Sequence, residues 1–211
     1  YNSSLDDNVA ETIDWLKTSR ESFEYWNNRY ISHDFKWDLG EVSDPLKHYF
    51  EQLTDTNLHI LIPGAGNAHE AEYLFNKGFT NIYVLDFAKE PIELFKKRNP
   101  LFKSNQLICE NFFNHVGQYD LIIEQTFFCA INPQLRRNYA KQMHQLLKPN
   151  GKLVGVLFND ELNKNHPPFG GNQTEYLPNF ENLFKIKVFE PAHNSVKPRA
   201  NRELFINFEK A

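Results

Sequence analysis

The tightest constraint on this chain is one arrangement between residues 58 and 86. A short apolar run, Leu58 to Ile62, ends in Pro63-Gly64-Ala65-Gly66-Asn67. An amphipathic stretch follows to about Lys77, and a second apolar run, Asn81 to Leu85, closes on Asp86. Short apolar runs bounded by turn signals read as buried strands, and a helical period between two of them makes a strand–helix–strand unit. Such units need parallel neighbours and helices covering both faces of the sheet.

The pattern continues downstream. Gln106 to Cys109, Tyr119 to Glu124, Leu153 to Phe158, Lys185 to Phe189 and Leu204 to Phe208 read as further strands. Helical periodicity covers Pro91 to Arg98 and Pro133 to Leu147, the second stopped by Lys148-Pro149-Asn150-Gly151, a terminator and turn. The expected fold class is therefore α/β, a doubly wound, mostly parallel seven-stranded sheet. Only a loop separates the last two strands, which are expected as an antiparallel pair at one edge. Upstream, Ser4 can cap a helix, Asp6 and Asp7 suit its first turn, and Val9, Ile13 and Leu16 recur at helical spacing. Glu21 to Ile31 carries Phe23, Trp26 and Tyr30 on one helical face, Trp37-Asp38-Leu39-Gly40 reads as a turn, and a helix starts near Asp44-Pro45. The whole, residues 1–211, is expected as one domain: a helical cap over about 1–55 and an α/β core over about 58–211.

Charge and composition narrow the partners. The formal net charge is −4 with no dense Lys/Arg block, which argues against a nucleic-acid partner, because phosphate neutralisation supplies most of that affinity. The two cysteines, Cys109 and Cys129, form no CxxC pair, and no His cluster has metal spacing. That fits a reducing, cytoplasmic compartment and no bound metal. No apolar run approaches the roughly 20 residues of a membrane span. The first residues, Tyr1-Asn2-Ser3-Ser4, lack the basic and apolar regions of a signal peptide, although the chain does not begin with Met. A monomer acting on a small molecule, with neither nucleic acid nor membrane as partner, is the expectation.

The ends of the first two strands carry the chemistry. Glycines let a backbone approach a ligand closely, and a carboxylate ending the second strand can accept from both hydroxyls of a ribose. A nucleoside-containing cofactor is implied, NAD or S-adenosylmethionine (SAM). A dinucleotide fingerprint needs a third glycine at position 69, where His69 stands, followed by Glu70. A pyrophosphate at that helix N-terminus would meet a carboxylate, whereas SAM carries no phosphate. Taken alone, a two-glycine turn also serves any strand-to-helix connection. At the end of the third strand, Asn111 can hydrogen-bond an adenine amine and Phe112 can stack on the ring. A loop Asn beside a core Phe would look the same.

Four segments carry a resemblance: Trp37-Asp38-Leu39-Gly40, Ile62-Pro63-Gly64-Ala65-Gly66, Phe127-Phe128-Cys129-Ala130-Ile131-Asn132-Pro133 and Leu146-Leu147-Lys148-Pro149-Asn150-Gly151. His166-Pro167-Pro168-Phe169 adds a fifth. With these the chain, from about Trp26 to its C-terminus, resembles the thiopurine methyltransferase superfamily, and within it the plant-type halide/thiol methyltransferase branch. The resemblance implies a class I, Rossmann-like SAM methyltransferase with an N-terminal helical lid, releasing S-adenosylhomocysteine. It implies cofactor contacts at Trp26, Tyr30, Trp37, Gly64 and Gly66, and at Asp86, Asn111, Phe112 and Gln125. Phe127, Phe128, Arg136 and Phe169 would face the acceptor. The chain departs from the branch at Tyr30 (there a Trp), Asn67 (a Gly), Asn111 (an Asp) and Gln125 (a Tyr).

Transfer from a sulfonium needs alignment more than proton chemistry, so no general base is assigned. Trp26, Tyr30 and Trp37 could form an aromatic lid; an amphipathic helix packed on the sheet is the plainer account of the same spacing. Arg136 could hold an anionic acceptor, or lie on a solvated helix face. Cys129, amid apolar residues, reads as packing. The acceptor is expected to be a small soft nucleophile: a thiol, hydrosulfide or halide. A larger aromatic or natural-product thiol, a non-catalytic SAM-binding module and, more distantly, an NAD-dependent oxidoreductase stay open.

Overall fold

A computed structural model describes residues 23–211; the helix expected from Ser4 onward therefore falls largely outside the described residues. Helix α1 is described over residues 23–31. It is followed by α2 (Asp44–Phe50), β1 (Ile60–Pro63), α3 (His69–Asn76), β2 (Ile82–Asp86) and α4 (Lys89–Arg98). Then come β3 (Leu107–Cys109), β4 (Tyr119–Gln125), α5 (Arg136–Leu146), β5 (Leu147–Phe158), α6 (Gln173–Phe180), β6 (Phe184–Pro191) and β7 (Glu203–Lys210). The seven strands form one sheet in the order β3-β2-β1-β4-β5-β7-β6. Strands β1 to β5 run parallel, and β7 is antiparallel to both β5 and β6.

Side chains alternate across this sheet with period two. Ile60 and Ile62 of β1, Ile82 and Val84 of β2, and Leu121 and Ile123 of β4 face one core, shared with Leu46, Leu74 and Phe95 of α2, α3 and α4. Leu61, Leu85, Ile122 and Leu153 face the other core, shared with Tyr139 and Met143 of α5 and Tyr176 and Phe180 of α6. The central parallel strands β1, β2 and β4 are buried on both faces, which is why they read as nearly continuous apolar runs rather than alternating ones.

Two elements differ from the sequence reading. Lys148-Pro149-Asn150-Gly151 ends α5 as expected but lies inside β5. The pairing jumps from Tyr119↔Leu147 to Leu121↔Lys152, and Asn150 takes a left-handed φ of 61° in the slack. Helix α6 is an element that the sequence pattern does not announce. Its N-cap Asn172 accepts from the Glu175 amide at 3.1 Å, and only Tyr176 and Phe180 bury a face, with Pro178 between them. Strand order reverses between β1 and β4, and at such a switch point the loops beyond the carboxyl ends part to leave a crevice.

Candidate functional site

A cavity of about 550 Å³ opens at this switch point. The loop after β1 forms its floor, with Gly64 and Gly66 at φ of 58° and 52°, a region that favours glycine. Space fixes them too: a Cβ at Gly64 would stand 2.2 Å from the Phe127 ring, and one at Gly66 2.4 Å from the Tyr30 hydroxyl. Asp86, only 7% exposed, closes β2. Its Oδ2 accepts from the Gly66 amide and its Oδ1 from the Ala88 amide, both at 2.8 Å. Burial raises the carboxyl to about 6, against the opposing pull of those amides. Each oxygen keeps a further lone pair for a ligand hydroxyl.

The roof comes from residues 23–40. Trp26 and Trp37 meet edge to face with centroids 5.4 Å apart, Tyr30 meets Trp37 at 6.0 Å, and the Arg29 guanidinium lies 4.8 Å from the Trp37 ring. Burial, then the nearby Asp86 charge, push the Tyr30 hydroxyl far above its ordinary value, so it stays protonated. Asp38 pins the roof to the floor. Its Oδ1 accepts from the Gly40 amide at 2.6 Å and lies 2.8 Å from His69 Nε2, and its Oδ2 accepts from the Asn67 amide group. Burial would raise the Asp38 carboxyl, but the bonds from His69, Asn67 and Gly40 outweigh it and bring it to about 2; His69 is raised by the same bond. Asp38 thus reaches the start of α3 through the Asn67 and His69 side chains, not through its backbone amides.

At the end of β3, Asn111 Oδ1 accepts from the Phe113 amide at 3.0 Å, so the oxygen expected to face an adenine also caps its own turn. Phe112 is buried edge-on to Phe127 at 5.2 Å yet still borders the cavity. Gln125, closing β4, accepts from the Ser43 hydroxyl at 2.9 Å. Every residue expected to hold the cofactor (Trp26, Tyr30, Trp37, Gly64, Gly66, Asp86, Asn111, Phe112 and Gln125) lines this one cavity.

The acceptor residues divide. Phe127 lines the cavity; Phe128, Arg136 and Phe169 do not. Phe128 packs on Tyr139 and Tyr176, each at 5.1 Å. Arg136, 7% exposed, lies between the Phe128 and Tyr176 rings at 4.8 and 5.0 Å. It donates to the Gly170 carbonyl at 2.9 Å, its Nε has no partner, and burial lowers its pKa. The Phe169 amide donates to the Cys129 carbonyl at 2.7 Å. These three back the wall rather than form it. The wall presents Cys129, Ile131, Leu135, Phe158 and Pro168, with Arg199 as a cation. Burial pushes the Cys129 thiol up to about 12, and it donates to the Thr126 carbonyl at 3.2 Å.

Two residues at the site escaped the sequence reading. Arg199, in the loop between β6 and β7, pairs with Glu203 at 3.2 Å and donates to the Trp37 carbonyl at 2.5 Å. No spacing rule brings such a loop residue to a cavity. Glu124, fully buried beside Gln125, has a signal: like Asp86, it is a carboxylate at the end of an apolar run. Among the described residues no group of His, Cys, Asp and Glu could hold a metal, and no helix is long and apolar enough to cross a membrane.

Solved structures with this fold define the class. Magnesium protoporphyrin IX methyltransferase from Synechocystis, solved with bound SAM, aligns with a TM-score of 0.68 at 11% identity, over 92% of this chain and 97% of that one. A TehB-like SAM-dependent methyltransferase from Corynebacterium glutamicum aligns with a TM-score of 0.60 at 14% identity, over 93% and 100%. The fold is that of the SAM-dependent methyltransferases. Within them, the family model for thiopurine S-methyltransferase matches residues 21–210, and the chain belongs to that family. It is 29% identical to "Probable thiol methyltransferase 2" of Arabidopsis thaliana, over 75% of this chain and 72% of that protein. It is 24% identical to thiopurine S-methyltransferase of Oryctolagus cuniculus, over 82% and 84%. The protein is accordingly a SAM-dependent methyltransferase.

Proposed function

We propose that the switch-point cavity binds SAM against Gly64, Gly66 and Asp86 and passes its methyl group to a small soft nucleophile: a thiol, hydrosulfide or halide. The donor set fits the cofactor. Asp86 offers two acceptor oxygens for ribose hydroxyls, Phe112 and Asn111 flank an adenine, and Trp26, Tyr30 and Trp37 suit a cationic sulfur. Cation–π contact would contribute about 0.5–2 kcal/mol there. When bound, SAM supplies an electrophilic sulfonium methyl group.

The observation that carries the acceptor class is what the wall lacks. From Phe127 to Arg199, the described residues bordering the cavity include no carboxylate and no imidazole, and Cys129 keeps its proton. The cavity's carboxylates and imidazole, Asp38, Glu41, His69, Glu70 and Asp86, all lie outside this stretch, so an acceptor seated on this wall reacts best when it arrives ready, as thiolates and halides do. The Arg199 charge is already paired with Glu203; what the wall supplies is an apolar surface that sheds water, and alignment can supply about 7–11 kcal/mol of the barrier. The apolar surface runs on to Phe158, Leu162 and Pro198, more than a halide covers, so an aromatic thiol is the second reading.

We further read residues 1–211 as one domain, a helical cap over about 1–55 and an α/β core over about 58–211. We take it to work as a cytoplasmic monomer with no nucleic-acid or membrane partner. The test supplies SAM with hydrosulfide, iodide or benzenethiol in separate reactions. Methanethiol, methyl iodide or methyl phenyl sulfide, with equimolar S-adenosylhomocysteine, is the expected product. SAM binding without turnover of any of the three would overturn the acceptor class.

A further inference from the structure

The buried carboxylate of Glu124 plays no part in the account so far. It stands at the carboxyl end of β4, fully buried, one residue before the cavity-lining Gln125. Oε1 accepts from two successive amides, Phe127 at 2.8 Å and Phe128 at 2.9 Å. Oε2 accepts from the Tyr139 hydroxyl of α5. These bonds span a turn that would not hold this shape unaided, because Thr126 sits at a φ of 57°, a left-handed conformation that costs a β-branched residue free energy.

The turn matters because of what it carries. Thr126, Phe127 and Cys129 all border the cavity, and the Phe127 ring fills the space above Gly64 that any side chain there would occupy. The partner strand leaves room for the arrangement: β5 carries Gly155 opposite Glu124, and a Cβ there would lie 2.4 Å from the Glu124 Cβ.

We propose that Glu124 is a positioning residue for methyl transfer, tying the Thr126–Phe128 turn to β4 and α5 so that Phe127 holds the acceptor face of the cavity against the glycine loop. The assignment rests on the reading of the cavity as the SAM and acceptor site. Glu124 touches neither reactant; it acts through Phe127. What it must supply is an oxygen at the right place, not a charge or a proton.

The test compares E124A, E124D and E124Q with the wild type, reading the SAM Kd by calorimetry, kcat and KM for hydrosulfide, and the melting curve of each. E124A should raise the hydrosulfide KM at least tenfold while the SAM Kd stays within about threefold, since Asp86 and its amides are untouched. E124D, one methylene shorter, should show the same split and serves if E124A does not fold. E124Q keeps an oxygen for both amides and turns its NH₂ toward Tyr139, so it should restore at least a third of the wild-type kcat/KM. Folded E124A or E124D with a KM within twofold of wild type would overturn the assignment. So would a hundredfold loss of kcat in E124Q at unchanged KM, which would mark a group that moves a proton. Wild-type protein that binds no SAM would instead refute the cavity reading, and the Glu124 assignment with it.

Discussion

Asp86 and Glu124 both stand at the carboxyl ends of apolar strands, both are held by backbone amides and both are raised by burial, yet they differ in what they face. Asp86 keeps open lone pairs toward the cavity, whereas Glu124 is enclosed on every side. Burial raises the Glu124 carboxyl from 4.5 to about 7, against the bonds from Tyr139, Phe128 and Phe127. A raised folded pKa favours the protonated fold: the stability it contributes is complete below pH 4.5 and is lost as pH rises through about 7. Gln at this position satisfies the same partners without charge. E124Q and wild type should therefore melt nearly together at pH 4, while at pH 8 the variant should be more stable by about 3 kcal/mol, or roughly 9 °C. Calorimetric melts at the two pH values check this, and equal melting at pH 8 would count against it. Both residues show in the sequence as acids ending apolar runs, but only Asp86 follows a glycine turn of the kind that points to a ligand. The placement of Phe128, Arg136 and Phe169 was not legible. Spacing shows that Phe127 and Phe128 are neighbours, but not which of two adjacent rings on a tight turn faces the cavity and which faces the core.

Among the elements, the central strands β1, β2 and β4 were legible because they are buried on both faces and so read as nearly unbroken apolar runs. Helix α6 was not, because two buried aromatics four residues apart, with a proline between, give too short a period to distinguish helix from loop. Strand register brings a consequence of its own. Gly155 faces Glu124 across the β4–β5 ladder, and an added Cβ would stand 2.3 Å from the Glu124 carbonyl oxygen. Gly155→Ala should cost about 1–3 kcal/mol by overpacking, seen as a lower urea midpoint at unchanged slope; a midpoint like wild type would show that the ladder can yield.

Residues 23–40 are fastened through Asp38 to His69 and Asn67, and His69 is raised by its bond to Asp38. A raised histidine contributes stability that is complete below its unfolded value of about 6.5 and is lost as pH rises through its folded one. Trypsin cleavage at Arg29 and Lys36 should therefore quicken between pH 6.5 and pH 9 in the wild type. In His69→Ala it should be fast at both. Equal rates in the two proteins across this range would mean that the latch contributes nothing.

For the whole molecule, strand order places the loops after β1 and β4 across one crevice, and everything proposed about chemistry depends on what that crevice binds. The floor was readable from Gly64, Gly66 and Asp86, since glycine and carboxylate stand at fixed offsets from strand ends. The far wall was not, because Arg199 reaches it from a loop most of the chain away, and only the folded sheet brings the two together. The most direct test is a calorimetric titration of the purified protein with SAM at pH 7.5, repeated on Asp86→Ala. The account predicts one saturable site per chain and at least tenfold weaker binding in the variant. A wild type that gives no binding heat and no SAM-dependent rise in melting temperature would contradict it.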